Sequence, residues 1–488
     1  VDLKKRSNST NIGLMLVRKF LSHLGNWSIG SGPLHARLSR GIQSAIQRGL
    51  IMPGSRLPAE RELAKALAVS RTTVVTAYTA LQQASWVESR RGSGTFACVR
   101  SLGANAIRRD GIDASSSAFD LLQNETSDVI DMTIGCAFPL TDLPKSLFRL
   151  PADEHDALIM DRLYYPRGLL ALREAIAEHY NGINLVTSAR QILVTNGAQQ
   201  ALSLLGSLYL QRGDTVLIED PTYYGAVDAF RAAGARLSSL PVGKEGVSPA
   251  ILRERISSTA ARLVYLTPTF QNPTGSVMPV LARKAIAKIA TELGTPVIDD
   301  CCLSDVVLDG EVPPPLAFYG DPETLITVGG LSKLMWPGLR VGWIRAAENV
   351  IERLARVKTA FELGSPLLTQ AIAVQLIAAI PEARRLRRIQ LIPRRRALVD
   401  LLKKHLPDWK FRTPAGSFFL WVQLPEGDAR EFSQVALRHG VAIMPGNTMS
   451  AAGMQSRFVR LPYLSEPDTL RLGIERLRAA WITYRKAK

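Results

Sequence analysis

Three short amphipathic helices backed by a basic, glycine-rich hairpin, then a long alternation of apolar strands and helices, predict a chain of two folds. The first is a winged helix-turn-helix; the second is an α/β domain with a mostly parallel sheet. The charge distribution agrees with this division. Of the net charge of +17, residues 1–100 hold +11, from 15 Lys and Arg against 4 Asp and Glu. Basicity gathered at one end reads as a nucleic-acid-binding module on a less polarised body. A solvated charged surface is the plainer alternative that charge alone leaves open. At 488 residues the chain exceeds one ordinary core, so division is expected on size as well.

Other classes are disfavoured. No apolar run is long and clean enough to span a bilayer. Residues Val1 to Phe20 carry basic side chains and a short apolar patch at Ile12 to Val17, without a hydrophobic core or small-residue cleavage site, so a secretory signal is not expected. The four cysteines, two of them adjacent at Cys301-Cys302, have no metal or disulfide spacing, and a cytoplasmic location is expected.

Residues 1–32 are polar, basic and punctuated by Gly and Ser, and are expected to form a flexible extension. The head is expected over 33–98. Leu34, Leu38, Ile42 and Ile46 recur every fourth residue and make one helical stripe, which Gly49 and Pro53-Gly54 end. Pro58 opens a second helix with Glu60 in its first turn and Leu63, Ala64 and Leu67 on one face. Ser70 is a good N-cap for a third helix that turns Val74, Ala77, Tyr78 and Leu81 inward. The stretch Trp86 to Phe96 has two β-prone arms around a basic tip. In such a fold the third helix enters the major groove by its N-terminal end, where Ser70, Arg71, Thr72 and Thr73 reach bases or phosphates. Arg90, Arg91 and Gly92 at the wing tip would lie along the backbone or minor groove. Arg61 is placed for a phosphate, with a surface ion pair to a neighbouring Glu as the alternative. The motifs Pro58-Ala59-Glu60-Arg61-Glu62-Leu63-Ala64, Val69-Ser70-Arg71-Thr72-Thr73-Val74 and Glu88 to Phe96 closely resemble the GntR-type winged helix.

Residues 99–130 lack sustained periodicity, contain Ser115 to Ser117, and are expected to be a linker. In 131–488, apolar runs at 191–195, 215–218, 262–266, 295–298 and 325–328 alternate with amphipathic stretches. Sheets of this kind bind ligands beyond the C-terminal ends of their strands. Lys333 sits in Leu331-Ser332-Lys333-Leu334-Met335-Trp336, with Arg340 seven residues on. An apolar, cation-flanked setting disfavours the ammonium and frees the amine to attack a carbonyl, and the arginine fork suits a phosphate. An aldehyde that also carries a phosphate is pyridoxal phosphate (PLP). A plain loop lysine remains the alternative. Gly197 and Ala198 follow one strand and open a helix whose amides can hold a phosphate, or make an ordinary strand-to-helix turn. Tyr223 can stack on a planar ring. Asn272 can bond a ring hydroxyl, and Asp300 can pair with a pyridinium nitrogen. Adjacent acids are otherwise often metal ligands, but no histidine accompanies Asp299-Asp300. Arg460 can clamp a carboxylate bidentately.

Together and in this order, these motifs resemble the fold-type I aminotransferases, from about Asp131 to the C-terminus. The resemblance implies a PLP-dependent transferase fold in which Lys333 forms the aldimine, Asp300 pairs with the ring nitrogen and Asn272 bonds the ring hydroxyl. It further implies that Gly197, Ala198 and Arg340 hold the phosphate, and that Arg460 and Gly135 face the carboxylate of an effector. Tyr164, in Tyr164-Tyr165-Pro166-Arg167-Gly168, resembles the residue that reaches the partner subunit's phosphate in a homodimer. A GntR-type head on such a body resembles the MocR-like bacterial regulators, which implies a regulator of double-stranded operator DNA that responds to an amino compound or to PLP itself. Two positions depart from the pattern. Cys302 stands where a tyrosine usually bonds the ring hydroxyl, and a thiol is a weaker donor. Gly330 stands where a Ser or Thr usually contacts the phosphate. Both weaken an aminotransferase-like half-reaction more than cofactor retention. The alternatives are a PLP-dependent aminotransferase with an accessory head, and a regulator whose cofactor-free body serves only to dimerise.

Overall fold

The computed structural model describes residues 31–90, 92–98 and 128–487, with Val17, Phe20, Leu21 and residues 23–28 ahead of them. The expected linker falls almost wholly outside these residues, as does Arg91.

The head is built from α1 (Leu34–Gln47), α2 (Glu60–Ala66), α3 (Arg71–Gln83) and the antiparallel pair β1 (Val87–Arg90) and β2 (Gly94–Ala97). Its stripes pack as their spacing requires: Leu38, Ile42 and Ile46 meet Leu63, Leu67, Val74, Ala77 and Leu81 in one core. Ser70 caps α3, its hydroxyl accepting from Thr73 N at 3.1 Å. Tyr78 buries its ring and donates its hydroxyl to Pro58 O at 2.9 Å, which fixes the entry to α2. The extension differs from the expectation. Val17, Phe20, Leu21, Leu24 and Trp27 are buried in the head core, an apolar stripe that the surrounding polar composition obscured.

The body holds an eight-stranded sheet in the order β4-β11-β10-β9-β8-β5-β6-β7. These strands are β4 (Ile192–Thr195), β5 (Thr215–Asp220), β6 (Arg236–Gly243), β7 (Gly246–Val247), β8 (Leu263–Leu266), β9 (Val297–Asp300), β10 (Leu325–Gly330) and β11 (Gly342–Arg345). The pairs linking β10, β9, β8, β5 and β6 are parallel; β11 runs antiparallel to both neighbours. Most of these strands are buried on both faces, which is why they read as unbroken apolar runs. Three helices pack with one face of the sheet: α6 (Ala198–Tyr209), α7 (Tyr224–Ala232) and α10 (Glu348–Thr359). The other face meets α5 (Leu170–Asn181), α8 (Pro249–Thr259), α9 (Val280–Leu293) and α11 (Leu367–Ala378); α4 (Ala152–Met160) precedes α5.

A second, five-stranded sheet, absent from the expectation, has the order β12-β13-β15-β14-β3. Its strands are β3 (Ile130–Met132), β12 (Lys410–Phe411), β13 (Phe419–Gln423), β14 (Val441–Pro445) and β15 (Phe458–Pro462). The 26-residue α12 (Ile380–His405) joins the two halves. Ile380, Ala383 and Leu386 lie in the large-sheet core; Leu391, Leu398 and Leu402 lie in the small one. With α12, helices α13 (Ala429–Arg438) and α14 (Pro467–Lys486) cover the small sheet, where Trp409, Phe432 and Trp481 meet edge to face.

A buried arginine fixes the segment that follows β8. Arg283 on α9 donates to Met278 O, Pro314 O, Pro268 O and Thr269 Oγ1 at 2.9, 3.0, 2.9 and 2.7 Å. Arg283→Met would leave those acceptors unpaired in the interior, and chemical denaturation should show a loss of about 3 kcal/mol. A loss below about 1 kcal/mol would mean that the segment holds itself.

Candidate functional site

The crevice forms where strand ends of the large sheet meet the small sheet. Asp300 is the last residue of β9, and strand alternation turns it and its neighbour Asp299 to opposite faces. Asp299 accepts from Leu316 N at 2.7 Å and from the Cys301 thiol at 3.3 Å. Asp300 accepts the Tyr265 hydroxyl at 2.6 Å and Cys302 N at 3.0 Å. Tyr265 pairs with Ile298 across the ladder, so it shares a face with Asp300 two residues on. Burial, then the charge of Asp300, keeps the Tyr265 phenol protonated and able to donate.

Lys333 Nζ donates to Gly135 O at 2.7 Å and lies 3.5 Å from Cys136 Sγ. Among the described residues it has no carboxylate within ion-pair distance. Burial and the charge of Asp300 push the Cys302 thiol well up, while Lys333 pulls it down. The thiol therefore feels both groups, and acid and amine face one crevice.

Arg460, in β15, is 1 % exposed. It donates to Thr133 O at 2.5 Å and to Asn272 Oδ1 at 3.3 Å, and lies 4.1 Å over the Phe419 ring. Its Nε is buried without a partner. Burial pushes the guanidinium down to about 10, with Tyr224 and Tyr223 opposing. Gly135 permits the packing here, because a Cβ would come within 2.9 Å of Phe419 and 3.6 Å of Arg460.

At the far end of the crevice, Gly197 has φ +83° and precedes α6, which has no side-chain cap. A Cβ on Gly197 would stand 2.9 Å from Arg340 Nη2. Arg340, at φ +52°, donates to Asn196 O at 2.7 Å. The Tyr223 hydroxyl donates to Gln199 Oε1 at 3.2 Å, which ties the tyrosine to the start of α6. A Cβ on Gly330 would meet Val341 O at 3.2 Å, a tight fit that leaves a serine little room.

Lys333, Gly135, Asn272, Arg460 and Asp300 thus come together, as do Gly197, Ala198 and Arg340. Tyr164 does not join them: it is 71 % exposed. On the head, Arg61, Arg71, Thr72, Arg90 and Gly92 are exposed, as is Ser70, and Thr73 is half-buried. The ion pair weighed for Arg61 falls to Arg71 instead, which meets Glu60 at 3.0 Å. Arg90 pairs with Glu88 at 2.5 Å and lies 4.6 Å over Phe96.

Sequence reasoning missed Tyr265, Glu219 and Arg387. Arg387, on α12, is 1 % exposed and donates to the carbonyls of Leu334 at 2.7 Å, Met335 at 3.1 Å and Phe138 at 2.8 Å. It pins the Lys333 segment to the strip that carries Gly135. Glu219, fully buried in β5, accepts from Thr267 N at 3.0 Å and Gln271 Nε2 at 3.2 Å, while Oε1 has no partner. The available signal was a polar group inside an apolar run, which must find a partner or lose its charge.

The donor set fits PLP. An amine without a carboxylate, an acid held by a phenol, an uncapped helix start beside an arginine, and a buried Nε without an acceptor match its aldehyde, ring nitrogen, phosphate and a carboxylate-bearing adduct.

Comparison with known proteins bears on the family and the fold. A model of the aminotransferase class I and II family matches residues 147–477. A model of the bacterial regulatory proteins of the gntR family matches residues 34–97. The HTH-type transcriptional regulator YisV of Bacillus subtilis is 30% identical over 88% of this chain and 92% of its own. The probable rhizopine catabolism regulatory protein MocR of Rhizobium meliloti is 28% identical over 92% of this chain and 94% of its own. Among solved structures, the alpha-aminoadipate aminotransferase LysN from Thermus thermophilus, complexed with N-(5'-phosphopyridoxyl)-L-leucine, matches with a TM-score of 0.68 at 28% identity. It covers 76% of this chain and 95% of that one. A GntR head on an aminotransferase-like body defines a transcription regulator. The chain belongs to the MocR-like subfamily of GntR regulators.

Glu219 gives the body a pH signature. Burial holds its carboxyl protonated up to about 8, with the Gln271 and Thr267 hydrogen bonds opposing and Asp300 assisting. In the unfolded chain it ionises near 4.5. Folding therefore takes up a proton between these values, and stability falls as pH rises from about 4.5 to about 8. Glu219→Gln, which cannot ionise, should gain several degrees in Tm on wild type between pH 5 and pH 8. Parallel melting curves across that range would contradict the assignment.

Proposed function

We propose that this regulator holds PLP covalently through Lys333, and that the cofactor, or an amino compound exchanging with Lys333, alters DNA binding by the head. The observation that carries this reading is the pair of cations in the crevice: the Arg460 guanidinium is buried, the Lys333 amine is half-buried, and neither meets a carboxylate among the described residues. An amino acid has complementary groups, an amine to exchange with lysine and a carboxylate for Arg460. PLP supplies the aldehyde for that exchange and a ring that withdraws electron density when its nitrogen is protonated. The chain's own groups then have defined tasks. Asp300, steadied by Tyr265, would hold the ring-nitrogen proton. Asn272 and Tyr223 would orient the ring. Arg340, with the amides beyond Gly197, would hold the phosphate. Arg460 and Gly135 would receive the effector carboxylate. Cys302 and Gly330 argue for slow turnover, which suits a sensor better than a metabolic enzyme.

Assembly follows from surface composition. Ile134, Phe138, Ile159, Met160, Leu163 and Tyr164 are all at least half exposed, large apolar side chains of the kind a protein interface covers. A homodimer would bury this strip and let Tyr164 reach the neighbouring crevice. Two heads on one dimer would read a repeated half-site, with Ser70 to Thr73 of each in the major groove and Arg61, Arg90, Arg91 and Gly92 along the backbone.

Borohydride reduction tests the central chemistry. After incubation with PLP and reduction, peptide mass analysis should find the pyridoxyl group on Lys333, and Lys333→Ala should remain unlabelled in that peptide. Label scattered over surface lysines, with none on Lys333, would remove the basis of the reading.

A further inference from the structure

Head and body meet at a small, well-defined contact. Arg438, the last residue of α13, donates through Nη2 to Ala68 O at 3.1 Å. Ala68 lies in the turn between α2 and α3, holds a left-handed φ of +49°, and packs against the core of the small sheet. The body therefore grips the turn of the helix-turn-helix itself.

Two features make this contact specific in position and shallow in energy. Its acceptor is a neutral carbonyl, and no carboxylate compensates Arg438 among the described residues. Its Nε is buried without an acceptor, and burial pushes the guanidinium down. A desolvated cation left partly unbonded costs free energy that one neutral hydrogen bond only partly offsets. The body end of the contact is stiff, because α13 packs through Phe432, Val435 and Ala436 into the small-sheet core.

Its location gives it a consequence. Ser70 is two residues beyond Ala68, and Arg71 to Thr73 follow directly. At about 3.5 Å per residue, the end of α3 that would read bases lies within roughly 10–18 Å of the body. A helix seated in a major groove about 12 Å wide has phosphates close on either side of that end. The tip of α13 stands against the turn that must approach those phosphates.

We propose that the C-terminal end of α13 is a docking surface for the chain's own head, and that the docked head is withheld from DNA until this contact opens. The proposal rests on the head being a DNA reader, as in the function proposed above. Since α13 belongs to the half of the body that α12 joins to the Lys333 segment, a shift between the two sheets would move the latch directly.

Hydrogen–deuterium exchange of the amides in Leu67 to Thr73, measured on the full chain, reads the docking without DNA. Binding of the same samples to duplex DNA from the region preceding the chain's own coding sequence, at fixed salt, reads its consequence. Arg438→Ala breaks the contact from the body side. Ala68→Asn keeps the carbonyl but adds bulk where Ala68 packs against the small-sheet core, so it crowds the contact from the head side and leaves α13 intact, with a residue that tolerates the left-handed conformation. Both should exchange faster in this segment and bind DNA about threefold to tenfold more tightly than wild type, the net scale of one ordinary hydrogen bond. Arg438→Lys should fall between. Unchanged exchange in both variants, or equal or weaker DNA binding alongside faster exchange, would overturn the proposal. Failure of every form to bind any duplex would overturn the DNA-reading head as well, while exchange would still decide whether the two parts dock.

Discussion

Arg460, withdrawn from water without a counter-ion, and the half-buried amine of Lys333 set the terms of the crevice. Taking a guanidinium out of bulk solvent costs several kcal/mol unless a carboxylate or a full set of acceptors offsets it. Arg460 has two oxygen acceptors and an aromatic face, and still leaves Nε unbonded. Lys333 has a backbone carbonyl and a thiol. A fold keeps such groups unpaired only if something else holds them in place. Here the surroundings do so: Phe419 beneath Arg460, Gly135 giving it room, and Arg387 pinning the Lys333 segment to the strip that carries Gly135. The crevice is organised for an anionic, carbonyl-bearing visitor before one arrives, which lowers the entropic cost of binding.

The same bonds tie the crevice to the rest of the chain. Helix α12 is buried in the large-sheet core at one end and in the small-sheet core at the other, and Arg387 lies where it crosses. A rotation of the small sheet would therefore be felt at Lys333 through three carbonyls. Asp220 makes a second bridge, accepting Ser239 from the large sheet at 3.0 Å and Ser450 from the connection between β14 and β15 of the small one at 2.7 Å. Coupling between a bound effector and the head needs an element with two arrangements that both ends bias, and the small sheet is the one physically joined to each.

Much of this was legible in the sequence, for reasons that also explain what was not. The head was readable because its helices are short and amphipathic and because Ser70 marks the start of α3 by capping it. The large sheet was readable because strands buried on both faces have to be apolar throughout. The small sheet was not: β3 pairs in parallel with β14, about three hundred residues later, and nothing local in either strand records that partnership. The segment around Val17 to Trp27 failed for the opposite reason, since a few core-facing residues lay in a basic, polar setting. In the site, residues that would touch a ligand carried motif signals, whereas those that hold them did not. Tyr265 and Arg387 look like ordinary members of a strand and a helix until tertiary contacts show what their polar ends hold.

In the function proposed here, cofactor chemistry in the body and DNA reading by the head are parts of one equilibrium. The most direct measurement is the DNA affinity of one preparation, before and after loading with PLP, at constant salt, with Lys333→Ala treated identically. Loading should shift the affinity of wild type and leave that of Lys333→Ala unchanged. Equal affinities for loaded and unloaded wild type, with the cofactor verified on Lys333, would contradict the coupling and leave the body as a passenger on a DNA-binding head.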